Sequence, residues 1–221
     1  MSARIFVVVA LSVMFGVSAA MATPIYVETT GADFDTLLGG FATPVGSDMV
    51  SNFSGGNLSA SVISQAFSDE AGNYLYLYQV NNTGGMGTDV ITRFTASPYA
   101  QADSSITLGY LTDNIPAAFI LGNQAPLYGD VNADAGPTVG FNFPVGNPFY
   151  GVPDSYIAPG KSSKVLYIQS SLAPGLVTGN IINGGVHTGQ IIGPVPEPGT
   201  LVLLGMGAIW LLAYAWQRRQ S

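Results

Sequence analysis

Tyr74-Leu75-Tyr76-Leu77-Tyr78-Gln79-Val80 decides the fold of this chain. Successive side chains of an extended strand point to opposite faces, so the tyrosines share one face and the leucines the other. Both faces are then covered, which marks a central strand. The tyrosine hydroxyls are expected to reach the rim of the core, where they find polar partners. Before this stretch, residues 57–68 read as a long strand with Leu58, Ala60 and Val62 on one face, and Asp69-Glu70-Ala71-Gly72-Asn73 reads as the turn between the two. After it, residues 81–87 form a turn cluster rich in Asn and Gly. Asp89-Val90-Ile91-Thr92-Arg93-Phe94-Thr95 is expected to return as the partner strand and close a hairpin.

Further along, residues 105–111, 117–121, 139–143 and 163–170 are strand candidates separated by segments rich in Pro, Gly and Asp. Val165-Leu166-Tyr167-Ile168 is apolar on both faces and reads as a second central strand. Residues 178–182 and 186–192 read as final edge strands joined through Gly184-Gly185, and Phe34-Asp35-Thr36-Leu37-Leu38 as a turn of helix. Strands of this length and apolarity must bury a face on another sheet, so the expected class is all-β, a single β-sandwich body over residues 23–190. Residues 190–194 are expected to be extended and to open a linker that runs to residue 199, because Pro194, Pro196 and Pro198 fix φ and bias their predecessors away from helix. No internal repeat is visible.

Charged residues are only 9% of the chain. Between Thr23 and Pro194 the basic residues are Arg93, Lys161 and Lys164, against twelve acids. Nucleic acid is excluded as a partner, since phosphate binding needs clustered Lys and Arg. The chain has no cysteine, so neither a disulfide nor thiol chemistry is available and stability must come from packing.

The two ends carry export signals. Arg4 precedes an apolar core over residues 5–17, and Ser18-Ala19-Ala20-Met21-Ala22 places Ala20 and Ala22 at the −3 and −1 positions of a secretory cleavage site. At the other end, Val195-Pro196-Glu197-Pro198-Gly199-Thr200 leads into an apolar run from Leu201 to Trp216 and then Gln217-Arg218-Arg219-Gln220-Ser221. A helix over residues 200–216 would be about 25 Å long, at the short end of what spans a bilayer. Trp210, Tyr214 and Trp216 suit the headgroup layer, and Arg218 with Arg219 favours the cytoplasmic side at residues 217–221, which leaves the body outside. This ordered tail resembles the PEP-CTERM sorting tail of Gram-negative bacteria that make exopolysaccharide. The resemblance implies that the sorting residues are Val195, Pro196, Glu197, Pro198, Gly199 and Thr200. It also implies an integral-membrane exosortase as processing partner, a transient inner-membrane tether, and final residence at the envelope, surface or matrix. The Tyr-x-Tyr-x-Tyr-Gln-Val-x-Asn strand and the later Lys-Val-Leu-Tyr-Ile also look like the body of many PEP-CTERM proteins without assigned activity.

Chemistry in the body is sparse. His187 is the one histidine and no Gly-x-Ser-x-Gly elbow exists, so a Ser-His-Asp triad would rest on a ring expected in an edge strand. His187 has no Cys or second His with which to share a zinc. Asp33 and Asp35 are a spaced carboxylate pair whose ordinary meaning is a solvated face. One stretch, Gly129-Asp130-Val131-Asn132-Ala133-Asp134-Ala135-Gly136, has ligand-like alternation: oxygens at Asp130, Asn132 and Asp134 resemble the start of a dockerin or EF-hand calcium loop. Ala135 stands where such a loop needs Gly, and Phe141 where it needs a closing carboxylate. The favoured reading is a polar turn; a weak calcium site, millimolar at best, is the alternative, and no other cofactor is expected. The expected function is a non-enzymatic surface or exopolysaccharide-matrix protein. The alternatives are a secreted carbohydrate-active enzyme, with paired acids in a cleft, and an ice-binding protein carried on the same tail, with a flat array of Thr.

Overall fold

A computed structural model describes residues 25–40, 42–99, 106–132, 137–147 and 151–195. The body is all-β. Its strands are β1 (Ile25–Val27), β2 (Thr30–Asp33), β3 (Thr43–Gly55), β4 (Leu58–Ser68), β5 (Tyr74–Asn82), β6 (Arg93–Ser97), β7 (Thr107–Asp113), β8 (Tyr128–Asn132), β9 (Thr138–Asn142), β10 (Leu166–Ser170), β11 (Pro174–Ile182) and β12 (Val186–Pro194). They form two six-stranded sheets, in the orders β1-β8-β9-β6-β11-β12 and β2-β7-β10-β5-β4-β3. A 3-10 turn over Phe34–Gly40 lies where a turn of helix was expected.

The opening stretch is central, as its pattern requires: β5 lies between β10 and β4, with Tyr78 opposite both Leu166 and Ser64. Tyr76 and Tyr78 enter the main core between the sheets beside Phe53, Phe94, Phe141 and Ile181, while Leu75 and Leu77 enter a second apolar layer on the far side. That layer is roofed by Phe34 and Leu37 of the 3-10 turn and by Phe119. The Tyr76 hydroxyl reaches a rim partner, donating to Leu172 O at 2.5 Å. The Tyr78 hydroxyl does not: the residue is wholly buried, and burial pushes its pKa well above the ordinary value, as it does for Tyr99.

Four expectations are corrected. The segment 89–95 does not close a hairpin with β5. Both edges of β5 are already taken, β4 by the tight Asp69–Asn73 turn and β10 from farther along the chain. The chain instead crosses the core: Ile91 exchanges backbone bonds with Ile157, and β6 joins the other sheet between β9 and β11. Asn82 pins this crossing, its Nδ2 donating to Asp89 O at 2.9 Å and Ile157 O at 3.1 Å.

Residues 117–121 form a turn rather than a strand, with Phe119 N donating to Pro116 O at 2.9 Å. The buried Gln79 amide clamps that turn, donating to Ile120 O at 2.7 Å and accepting from Ile120 N at 3.0 Å. A buried amide without such partners would destabilise the layer it sits in.

Residues 190–194 are no free linker. They complete β12, pairing Gln190 with Thr178 and Pro194 with Pro174. Ile191 is fully buried, and this burial outweighs the bias of the following prolines. Strand β12 is an edge, as expected, but β11 is interior. Among the long strands, β3 was the one with no sequence signal: its Thr43-Pro44-Val45-Gly46-Ser47-Asp48 start is polar and bulged against β4.

The two sheets close on each other along the β12 and β3 edges. Ser51 donates its hydroxyl to Gln190 O, and Ile192 N donates to Ser64 Oγ at 3.1 Å. Backbone groups on the outer edge of β12 thus find partners on the opposite sheet. Gly189 allows this approach, since a Cβ there would stand 2.8 Å from the Phe53 ring.

Candidate functional site

The sorting segment leaves the body at the end of β12. Val195 N donates to Ala173 O at 3.0 Å, and the Val195 side chain packs over Gly175, where a Cβ would come within 2.8 Å of it. Val195 also lies against the main core. Of the predicted sorting residues it is the one the structure describes. Pro196, Glu197, Pro198, Gly199, Thr200, Leu201, Trp216, Arg218 and Arg219 lie outside the described residues, as do Ala20 and Ala22 at the signal cleavage site. Sequence reading missed the residues that fix the exit: Ser51, Ser64, Ala173 and Gly175. The available signal was Ser64 itself, a hydroxyl at an inward position of the Val62, Ser64, Ala66 alternation.

A cleft of about 600 Å³ opens at the same end of the sandwich. Asp69 and Asn73 from the β4–β5 turn, Thr36 from the 3-10 turn, Thr107, and Gln169 with Ser170 from β10 line it. Asp69 Oδ1 accepts from Ala71 N at 2.8 Å and Asn73 N at 2.9 Å, and Oδ2 accepts from Asn73 Nδ2 at 2.6 Å. The Asn73 side chain is the largest cause of a lowered Asp69 pKa, because these donors favour the charged form. A smaller cleft of about 290 Å³ is lined by Asn123, Gln124, Asp154, Tyr156 and Lys161. Each of these clefts has a single carboxylate among its lining residues.

Asp130 and Asn132 lie on β8, in an extended ladder with β9, and not in a loop curling around an ion; Asp134 is outside the described residues. Asp130 is buried and both its oxygens are engaged: Oδ1 with Arg93 Nη2 at 2.6 Å and Oδ2 with Asn142 Nδ2 at 2.7 Å. Gly140 makes room for this ion pair, since a Cβ there would stand 2.6 Å from Asp130 Oδ1. As a calcium ligand Asp130 would have to release Arg93 and Asn142.

Asp33 and Asp35 are joined through a local turn. Asp33 Oδ1 accepts from Asp35 N at 2.9 Å and both Asp33 oxygens accept from Asn114 Nδ2, which makes it a turn-holding residue. His187 is half-buried on the edge strand β12. Its Nε2 lies 3.1 Å from Asn183 Oδ1, and Asn183 Nδ2 donates to Asp89 Oδ2 at 3.1 Å. This chain of contacts ties the β11–β12 turn to the crossing segment. On the outer face of the first sheet Thr188 donates to Asn180 Oδ1 at 2.9 Å and Asn180 donates to Thr95 Oγ1 at 3.2 Å. Hydroxyls alternate there with amides, and Thr95 is buried.

The geometry is that of a β-sandwich whose last strand leads directly into Val195 and the segment that follows it. Residues 194–219 match the PEP-CTERM protein-sorting motif. The chain thus carries a PEP-CTERM sorting motif, a signal for export with a membrane-anchored C-terminal tail and for processing of the exosortase kind. No curated protein and no solved structure matches it.

Proposed function

We propose that the sandwich is a non-enzymatic cell-surface or exopolysaccharide-matrix protein, brought to the outer face of the inner membrane by its signal peptide and tail and then freed by an exosortase-type cut near Pro196-Glu197-Pro198. The observation that carries the sorting half is the motif match beginning at Pro194, the last residue of β12. For the body, the single carboxylate in each described cleft favours contact over glycoside hydrolysis, which needs two facing acids. The mixed hydroxyl and amide ladder Thr188, Asn180 and Thr95 favours a hydrated polymer over the flat threonine array that ice would require.

Changing Pro196, Glu197 and Pro198 to Ala in the native host tests the first half by immunoblot of membrane and extracellular fractions. Wild type is expected to lose the mass of the tail and leave the inner membrane, and the variant to stay full-length there. Identical behaviour of the two would sink the sorting reading.

A further inference from the structure

The tail has almost no slack. Val195 is fixed to the sandwich by its bond to Ala173, and the expected membrane span begins at Thr200. An extended chain covers at most about 3.6 Å per residue, so these five steps reach no farther than about 18 Å. The rim at which β12 ends must therefore lie close to whatever holds the span.

The same rim carries the larger cleft. Ser170, in its lining, lies three residues before Ala173, the residue that accepts the Val195 amide. Asp69 and Glu70 stand in the β4–β5 turn at this end, and Tyr74 of β5 pairs with Ser170 there. The basic residues of the body lie away from it. Arg93 is paired with Ile182 at the far end of β11, the Lys161 carbonyl takes the amide of Asn82 at the far end of β5, and Lys164 sits over the Tyr110 ring at 5.1 Å.

We propose that this rim, with its acidic turn and polar cleft, is a docking surface for the outward face of the processing enzyme, so that the enzyme engages the folded body together with the sorting residues. The occupant is set by reach. An enzyme that acts on residues 196–198 of a tethered chain meets a surface beginning one residue away, and the short reach keeps the sandwich beside it. Its complementary chemistry is a cationic, hydrogen-bond-donating loop, because the rim offers Asp69, Glu70, the Gln169 amide and the Thr36 and Thr107 hydroxyls. The inference rests on the tail being processed, as set out above.

The test is a pulse-chase of the full chain in its own host. It compares wild type with a flexible Gly-Ser insert of about sixteen residues between Val195 and Pro196, a length whose mean span exceeds the natural reach, and with Glu70→Lys. Glu70 is exposed in a turn, with Thr43 Oγ1 as its long side-chain contact at 3.5 Å, and a thermal melt of each body checks folding. Docking predicts a several-fold slower cut in both variants, each melting as wild type does. A cut at the wild-type rate in both overturns the proposal. A faster cut with the insert makes the body an obstacle, and a faster cut with Glu70→Lys makes the rim face anionic headgroups; either result also overturns it. If wild type itself is not cut, while the Pro196, Glu197 and Pro198 variant behaves as it does, the sorting reading fails and this inference falls with it.

Discussion

The two sheets share one core and differ on their outer faces. The second sheet buries Phe67, Leu75, Leu77, Leu111, Val165 and Tyr167 under the 3-10 turn and Phe119, so its middle strands are apolar on both sides. The first sheet shows the surroundings side chains that bond to one another: Arg93 with Asp130, Asn142 with Asp130, Thr188 with Asn180, Asn180 with Thr95. One outer face is closed by chain folded over it, the other by a polar ladder. A roof of chain uses hydrophobic burial, whereas the ladder keeps a face wettable and pairs most of its polar groups, with Arg93 Nε buried and unpaired.

The largest effect that separates the faces is expected from Leu77→Ala. It leaves a void in the roofed layer and should cost about 2–5 kcal/mol in urea unfolding, whereas Thr188→Ala on the ladder should stay within about 0.5 kcal/mol. Equal costs would mean that the roof over Leu77 is not packed. Next comes Asp130→Ala, which strips Arg93 and Asn142 of their partner. A cost of about 1–3 kcal/mol is expected, below that of a fully buried pair because the Arg93 side chain is 34% exposed. Calcium titration of the same two proteins sharpens the point: heat from wild type that vanishes in the variant would assign the carboxylate to a cation after all.

The smallest effect is a pH response of the β4–β5 turn. The Asp69 pKa is lowered from 3.8, so its contribution is complete above that value and is lost as pH falls through the depressed folded value. Amide exchange at Ala71 and Asn73 should therefore quicken only in strong acid, while amides of the ladder strands keep their protection. An unchanged turn at that pH would mean that the Asp69 bonds do not hold it.

The contrast between the sheets was partly legible in the residues. Tyr-Leu alternation in β5 and the Val-Leu-Tyr-Ile run in β10 state that both faces are apolar, and both strands are central. Strand β11 reads Val177, Gly179 and Ile181 inward against Thr178 and Asn180 outward, the pattern of one open face. The topology was less legible because the strongest local signal, an Asn-Gly cluster after β5, opens a crossing between sheets. Turn composition reports that the chain bends, not which sheet it joins. Strand β8 hid behind its Asp and Asn, whose spacing of two suits a strand as well as a calcium loop. The sorting tail was the most legible part, since proline, apolar length and terminal arginines act through their own chemistry and need no tertiary context. The end of β12 was misjudged because three prolines suggested freedom where Ile191 and Val195 supply anchorage.

The clasp on β12 has a mechanical meaning. A tug on the membrane tether acts along the strand from its C-terminal end, so it loads the ladder to β11 in shear, across registered pairs from Ile182 with Val186 to Pro174 with Pro194, rather than peeling them one at a time. The hydroxyls of Ser51 and Ser64 grip the other edge and carry part of the same load. A body held this way takes a pull on its tether as a unit, because the load enters the sandwich along a strand gripped on both edges.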